Sequence, residues 1–215
     1  MTTSLREGLT FCRLADRIVF LDIPADRYFC LSREAENVFS RASAGEPIAE
    51  FERAILAKTG IVRRAASPFV FRECSKKPAL RSALEQDASS GGRLALARMC
   101  ARFLYAQSSL QRRGLAQTLA SMVRIKPTED QADLLAVAVI ADAYRRCIGL
   151  IGSHDRCLAY AIAVARSLYA AGAAADVVIG IGMPPFRAHA WVQWRDVLVN
   201  ERLEIAAHYT PIAVL

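Results

Sequence analysis

One cysteine stands at the start of a long apolar helical pattern, where its thiol could act as a nucleophile. Cys157 opens the stretch CLAYAIAVARSLYAAG, which ends at Gly172, and either Ser153 or Asp155 could cap such a helix. The unpaired N–H groups of a first helical turn stabilise a thiolate and so lower the pKa of a thiol placed there. A cysteine in an alanine-rich helix can equally be an ordinary core residue, so its position alone does not establish catalysis.

A histidine 32 positions downstream offers this thiol a general base. His189 lies in AHAWVQW, a stretch typical of a strand, and its neighbours Ala188 and Ala190 are small enough to leave room for a substrate backbone. Thiol proteases and transglutaminases place a cysteine at a helix N-terminus, a histidine on a central strand and a polar residue on the next strand. The pair therefore favours catalysis through a covalent acyl-thioester.

A third side chain should orient the imidazole and stabilise its charged form. Three candidates lie on or just after the next predicted strand: Asn200, Glu201 and Glu204. A strict two-residue turn at Arg195-Asp196 places Trp191 opposite Asn200 and His189 opposite Arg202, whereas a three-residue turn with a bulge places Glu201 opposite His189. The register is left open at this point.

The remaining cysteines and histidines show no spacing typical of metal ligands. The other cysteines are scattered along the chain without a C-x-x-C pair: Cys12, Cys30, Cys74, Cys100 and Cys147. In a reducing compartment they are expected to be mostly buried thiols, and a zinc site is not expected. His154 and His208 lie at the ends of predicted elements and are expected to be exposed.

The composition is that of a globular protein, with 215 residues of which 53% are hydrophobic. Charges interrupt the N-terminal stretch and the longest apolar runs, so we expect a cytoplasmic protein with no secretion signal and no membrane span. The net charge is +7, but Lys and Arg are spread evenly and do not form a stripe interleaved with aromatic residues. This distribution argues against nucleic-acid binding.

The first part of the chain is predicted to be a small module of strands and two helices. RIVFLDIPADRYFCLS indicates two strands about a turn at 24–26, and IVRRAASPFVF indicates two more about Ser67-Pro68. Between them lie a helix capped by Ser32 that stops at Gly45, and a second helix at residues 48–58. The order β-β-α-α-β-β suits a winged-helix-like module.

The composition changes after this module. QDASSGGR, residues 86–93, is the most linker-like stretch, so we predict a first domain at residues 1–85 and a second at 94–215. From Leu94 the pattern is helical, and beyond Gly172 it changes to the period of two that is typical of strands. The predicted fold class is α+β, with a winged-helix-like module followed by helices and then an antiparallel sheet.

The run CLAYAIAVARSLYAAGAAADVVIGIGMPPFRAHAWVQW, with VLVNE after it, resembles the core of the B proteins of lasso-peptide biosynthesis. The resemblance spans residues 94–215 and implies a transglutaminase/papain-like cysteine protease domain. It implies that Cys157 is the nucleophile and His189 the general base. The family has an aspartate twelve residues after the histidine, where this chain has Glu201, so either Glu201 or the neighbouring Asn200 would orient the imidazole.

The first segment, DRIVFLDIPADRYFCLS followed by EAENVF, resembles the PqqD-like leader-recognition domain that precedes the protease in proteobacterial B proteins. The resemblance implies that an extended leader peptide adds to an exposed sheet edge as a further strand. Tyr28, Phe29 and Val62 are the candidate contacts with the leader. Ordinary packing in the core is the alternative for each of them.

Together these resemblances imply a cysteine leader peptidase. It would bind the leader of a ribosomally made lasso precursor peptide and cleave it from the core, so that a partner, an asparagine-synthetase-like macrolactam synthetase, can close the ring. ATP and Mg²⁺ are expected to serve that partner, since this chain has no G-x-x-x-x-G-K-[ST] motif and is expected to need no cofactor. The alternatives are a transglutaminase-like acyltransferase and a non-catalytic winged-helix protein that binds peptide or DNA.

Overall fold

Two separate hydrophobic cores divide the chain into two units, Met1–Ser75 and Lys76–Leu215. The computed structural model describes residues 4–63, 71–85, 91–152 and 155–215.

The first unit combines a three-stranded antiparallel sheet, a separate two-stranded pair and two helices. Its elements are β1 (Ser4–Leu5), β2 (Leu9–Leu14), β3 (Arg17–Asp22), β4 (Arg27–Cys30), α1 (Arg33–Ser43), α2 (Glu50–Thr59) and β5 (Val62–Arg63). The sheet has the order β2-β3-β4, and β1 pairs with β5. Phenylalanine rings fill the core between sheet and helices, with Phe20 and Phe39 centred 5.2 Å apart.

Local sequence signals account for much of this unit. The turn at 24–26 joins β3 to β4, and the Ser32 hydroxyl caps α1 by accepting a hydrogen bond from the Ala35 N–H. β2 was not predicted, although Leu9 and Phe11 alternate with polar Thr10 as a half-buried strand requires. The strand pair predicted about Ser67-Pro68 falls outside the described residues.

The two edges of the three-stranded sheet differ. The outer edge of β2 is covered by the following chain, since the Cys74 N–H donates to the Phe11 carbonyl at 2.9 Å and the Arg13 N–H donates to the Glu73 carboxylate at 2.7 Å. The outer edge of β4 pairs with no strand in the described part of the chain. β4 is therefore the open edge of this sheet.

The second unit places three helices before most of its sheet. Its elements are β6 (Arg81–Ser82), α3 (Arg93–Ile125), α4 (Leu134–Ile151), α5 (Cys157–Ala170), β7 (Asp176–Gly182), β8 (Arg187–Trp194), β9 (Val197–Leu198), α6 (Leu203–Ala206) and β10 (Thr210–Val214). The sheet order is β10-β7-β8-β9-β6. All pairs are antiparallel except β6 with β9, so the sheet that we expected to be antiparallel is mixed at one edge.

Residues 76–85 belong to the second unit, although the sequence pattern assigned them to the first domain. Arg81 and Ser82 pair with β9, and the Arg81 guanidinium forms an ion pair with Asp196 at 2.9 Å. A two-residue parallel strand has no periodic pattern to mark it. Residues 86–90 of the predicted linker lie outside the described residues, and α3 begins at Arg93.

Residues at alternate positions of the sheet share one face. His189 lies opposite Gly180 and Trp191 lies opposite Val178, so these side chains are on the same side of β7 and β8. That face is covered by Ala79, by Leu203 and Ala206 of α6, and by Tyr209. α5 also packs against β7 and β8. The α+β class expected from the sequence is confirmed.

No helix in the described ranges is both long and apolar enough to cross a membrane.

Candidate active site

Cys157 is the first residue of α5, and Arg156 occupies the N-cap position. No side chain in the described part of the chain caps this helix. Asp155, one of the two caps that we expected, instead adopts a left-handed conformation with φ of 49°, and Ser153 lies outside the described residues. The backbone N–H groups of the first turn are thus left to act on the thiol, and the Leu158 N–H donates to it.

The Cys157 thiol and the His189 imidazole lie beside each other, across the junction between α5 and β8, so that each shifts the pKa of the other. Burial alone would raise the pKa of the thiol. The hydrogen bond and positive charge of His189, with the backbone N–H groups of Ala190 and Leu158, outweigh burial and hold the pKa below its usual value. The geometry therefore favours the nucleophilic thiolate form.

His189 bridges the thiol and a carboxylate. Its Nε2 lies 2.5 Å from Oε2 of Glu201, which leaves Nδ1 as the ring nitrogen available to Cys157. Burial lowers the pKa of the imidazole, but hydrogen bonds to Cys157 and Glu201 and their negative charges raise it to about 9. The two shifts act in the same sense, because each favours a thiolate beside an imidazolium.

Glu201 reaches His189 after the β8–β9 ladder has ended. The turn has two residues, since Gln193 pairs with Leu198, and β9 ends there. The Glu201 backbone carbonyl accepts a hydrogen bond from the Ser82 hydroxyl at 2.8 Å, and its Oε1 accepts from the Arg202 N–H at 2.9 Å. The two-residue alternative is therefore the observed turn, and departure from the ladder still brings Glu201 to the imidazole.

Asn200 has different partners. Its side-chain carbonyl accepts a hydrogen bond from the Val192 N–H at 2.7 Å, and its amide interacts with the Tyr144 hydroxyl. It is 3% exposed and joins the end of β9 to β8 and α4. The structure therefore brings Glu201, rather than Asn200, to the imidazole.

The other acid and histidine candidates lie elsewhere. Glu204 is exposed, and its backbone carbonyl accepts a hydrogen bond from Nδ1 of His208 at 2.6 Å. His154 lies outside the described residues. Within the described ranges, no group of three or more His, Cys, Asp or Glu residues could hold a metal ion.

Two residues beside Cys157, His189 and Glu201 carried no signal in the sequence. Tyr144 lies inside the apolar pattern of α4. Burial of its hydroxyl raises the pKa of this tyrosine, and the nearby negative charges of Glu201 and Cys157 raise it further. Ser82 belongs to the two-residue strand β6, where its hydroxyl holds the backbone of Glu201. Neither helical periodicity nor strand alternation distinguishes such residues from ordinary packing.

The three candidate leader contacts lie in the first unit and do not form one cluster. Tyr28 and Phe29 are successive residues of β4, and Val62 belongs to the β1–β5 pair, where it lies opposite Leu5. Phe29 stacks on Phe20 with the ring centres 5.3 Å apart. Phe29 and Val62 are half-buried and pack against the core of this unit.

Comparison with known proteins assigns the second unit to a family. No curated protein and no solved structure matches the chain. The family model described as the transglutaminase-like superfamily matches residues 97–214, which is more than half of the chain and includes Cys157, His189 and Glu201. Members of this superfamily are generally cysteine peptidases or acyltransferases. The chain belongs to the transglutaminase-like superfamily.

Proposed function

We propose that this protein is a cysteine peptidase that removes the leader from a ribosomally made lasso precursor peptide. The observation that carries the proposal is the Cys157 thiol beside His189, whose Nε2 lies 2.5 Å from Oε2 of Glu201. A thiolate already paired with an imidazolium can attack a carbonyl without first losing a proton. The family resemblance of the two segments supports the choice of substrate.

The reaction would proceed in two steps. The Cys157 sulfur attacks the carbonyl carbon at the leader–core junction, and the C–N bond breaks as His189 gives its proton to the departing amine. This leaves the leader joined to Cys157 as a thioester. Water then attacks the thioester, His189 accepts a proton from the water, and the leader leaves as a free acid.

Two groups are suitable hydrogen-bond donors for the oxyanion. The Cys157 backbone N–H lies at the uncapped start of α5, where the helix dipole also favours negative charge. The Tyr144 hydroxyl lies near Cys157, and its interaction with the Asn200 amide would orient it. We assign it as the side-chain donor because its buried hydroxyl interacts with the charge of Cys157 and has a proton to donate.

The open edge of β4 would bind the leader. A peptide added beside β4 would form main-chain hydrogen bonds there, and Tyr28 and Phe29 point to opposite faces of the sheet, so each would contact a different side of the added strand. Val62 lies on the separate β1–β5 pair, so it would affect leader binding indirectly, by packing against the core of the unit. Docking the leader makes the encounter with the thiolate intramolecular, which raises selectivity without a deep cleft.

The released core would pass to an asparagine-synthetase-like macrolactam synthetase in the cytoplasm. That partner would use ATP and Mg²⁺ to close the ring, and the leader peptidase itself would need no cofactor. A short precursor reading frame beside a synthetase gene would support this assignment and would supply the peptide for the assays.

The test is cleavage of that precursor by the full chain, followed by mass spectrometry of both products. We expect Cys157→Ala to bind the precursor and to leave it uncleaved, while Cys100→Ala, a half-buried cysteine of α3, keeps cleaving. Cleavage by Cys157→Ala would reject the mechanism. A leader fragment joined to an added amine, in place of the free acid, would instead assign the site to acyl transfer.

A further inference from the structure

A cavity of about 420 Å³ lies on the His189 face of the sheet in the second unit. Its wall is mainly apolar and is formed by the chain before β6, by β8 and β9, and by α6 with the residues after it. The residues that define it best are Pro78, Trp191, Leu198, Leu203, Ala206 and Tyr209. We call this cavity the Trp191 pocket. Its volume is in the range of pockets that bind small organic groups.

Two aromatic rings of the pocket wall lie next to the imidazole of His189. The Tyr209 ring is centred 5.1 Å from the His189 ring, and the Trp191 ring 6.2 Å from it. Gly180 permits this arrangement, because a Cβ there would lie 2.7 Å from the Trp191 ring and 2.9 Å from the Tyr209 Cβ. The glycine in VVIGIG thus lets both rings lie against β7, between the pocket and His189.

The two tryptophans of strand β8 differ in how their indole N–H groups are satisfied in the described part of the chain. The indole N–H of Trp191 is buried and makes no hydrogen bond within the described residues. The neighbouring Trp194, on the other face of β8, donates its indole N–H to Asp130 at 2.8 Å. Trp191 thus differs from Trp194 in having no acceptor for its indole N–H within the described residues.

We propose that the Trp191 pocket binds a bulky apolar side chain on the amine side of the bond that Cys157 cleaves, a proposal that rests on the proposed peptidase function. The departing amine must approach His189 to receive its proton, so the peptide on that side passes the face that carries Trp191 and Tyr209. α5, which carries the thiol, contributes nothing to the pocket wall. The substrate would therefore carry an aromatic or branched aliphatic residue shortly after the cleaved bond.

The test is a binding titration that needs no catalysis. The full chain with Cys157→Ala is labelled with ¹⁵N at tryptophan and titrated with Gly-Phe-amide and Phe-Gly-amide, which mimic the amine-side product. We expect at least one of these peptides to shift the indole N–H resonance of Trp191 while that of Trp194 stays in place. Gly-Gly-amide should shift neither.

Two substitutions on α6 serve as a matched pair. Ala206→Phe fills the pocket and should weaken binding by about tenfold, whereas Ile205→Phe, at a position that is 43% exposed and outside the pocket wall, should leave binding unchanged. The Trp194 resonance reports whether each variant is folded. The wild-type pocket can be tested even if Ala206→Phe fails to fold.

Three results would overturn the proposal. The first is no shift of the Trp191 resonance up to the solubility limit of either phenylalanine peptide, and the second is binding that Ala206→Phe leaves intact in a folded protein. The third is tighter binding of acetyl-phenylalanine, which mimics the acyl side. Precursor cleavage by the wild-type chain, measured alongside, separates the two claims. Cleavage without binding in the pocket would reject the pocket alone, and binding without cleavage would reject the peptidase alone.

Discussion

Nε2 of His189 lies 2.5 Å from Oε2 of Glu201, and this contact leaves the other ring nitrogen available to Cys157. One carboxylate therefore does two things: it orients the imidazole and it stabilises the charge that accompanies the thiolate. The Ser82 hydroxyl holds the Glu201 backbone from the neighbouring strand β6. The chemistry of the site thus depends on residues 76–85 as well as on the helix and strand that carry the reacting groups.

Replacing Glu201 tests the role of this contact. Glu201→Gln removes the charge but keeps the size, so it should lower the pKa of His189 and reduce kcat/KM for precursor cleavage by about 100-fold or more. Glu201→Asp, the residue of the lasso B family, should recover part of the loss. Glu204→Gln is the control and should cleave normally. Normal cleavage by Glu201→Gln would show that the carboxylate has no catalytic role.

The ion pair predicts how the thiol reacts with iodoacetamide. Because the Cys157 pKa is lowered by His189, the thiol should be alkylated rapidly near neutral pH, and His189→Ala should slow that alkylation by about tenfold or more. Peptide mapping by mass spectrometry assigns the rate to Cys157 among the other cysteines. Equal rates in the two proteins would contradict the pairing of thiolate and imidazolium.

The same pair sets the pH profile of cleavage. His189 keeps its proton until the pH passes about 9, so cleavage should fall as the pH rises through that value, because the departing amine then has no proton donor. Cleavage should also fall in acid, once Cys157 is protonated. A rate that still rises above pH 9 would mean that the imidazolium is not the acid.

Tyr144→Phe tests the assignment of an oxyanion donor. Loss of the hydroxyl should reduce kcat by about 100-fold with little change in KM, because the hydrogen bond forms in the transition state. Tyr105→Phe, on the exposed part of α3, is the matched control. A change in KM alone would assign Tyr144 to substrate binding or to packing.

Tyr28→Ala tests the leader site on β4. Measured on the Cys157→Ala background with a fluorescent precursor, it should weaken binding by about fivefold or more. Phe51→Ala, at a residue of α2 in the same unit that is 69% exposed, should bind normally. Since β4 lies far from Cys157 in the sequence and in a different unit, each substitution made in the chain that keeps Cys157 should leave the alkylation rate of Cys157 unchanged. Equal affinity of Tyr28→Ala and the parent would exclude this side chain as a contact.

The proximity of Cys157 and His189 could be predicted from the sequence because each residue follows a strong local pattern. Cys157 opens a helix and His189 lies in a strand, and both patterns depend only on neighbours in the chain. The third member could not be chosen between Asn200 and Glu201, because the answer depends on where β9 leaves the ladder. That point is set by long-range contacts, including the hydrogen bond from Ser82 to Glu201.

The same distinction applies to the fold. The β3–β4 turn and the cap at Ser32 are local features, and both are as expected. The extent of the second unit differs from the expectation, because β6 is two residues long and is recognised only through its pairing with β9. The side chains around the Trp191 pocket come from four separate elements, so no single stretch of sequence could indicate it.

The most direct test of the account is a search for the covalent intermediate. The full chain is mixed with the precursor peptide, quenched in acid within a turnover, digested and analysed by mass spectrometry. The account predicts a species with the mass of the chain plus the leader minus water, with the leader attached at Cys157 and absent from Cys157→Ala. Release of the leader with no modification of Cys157 at any time point would contradict it.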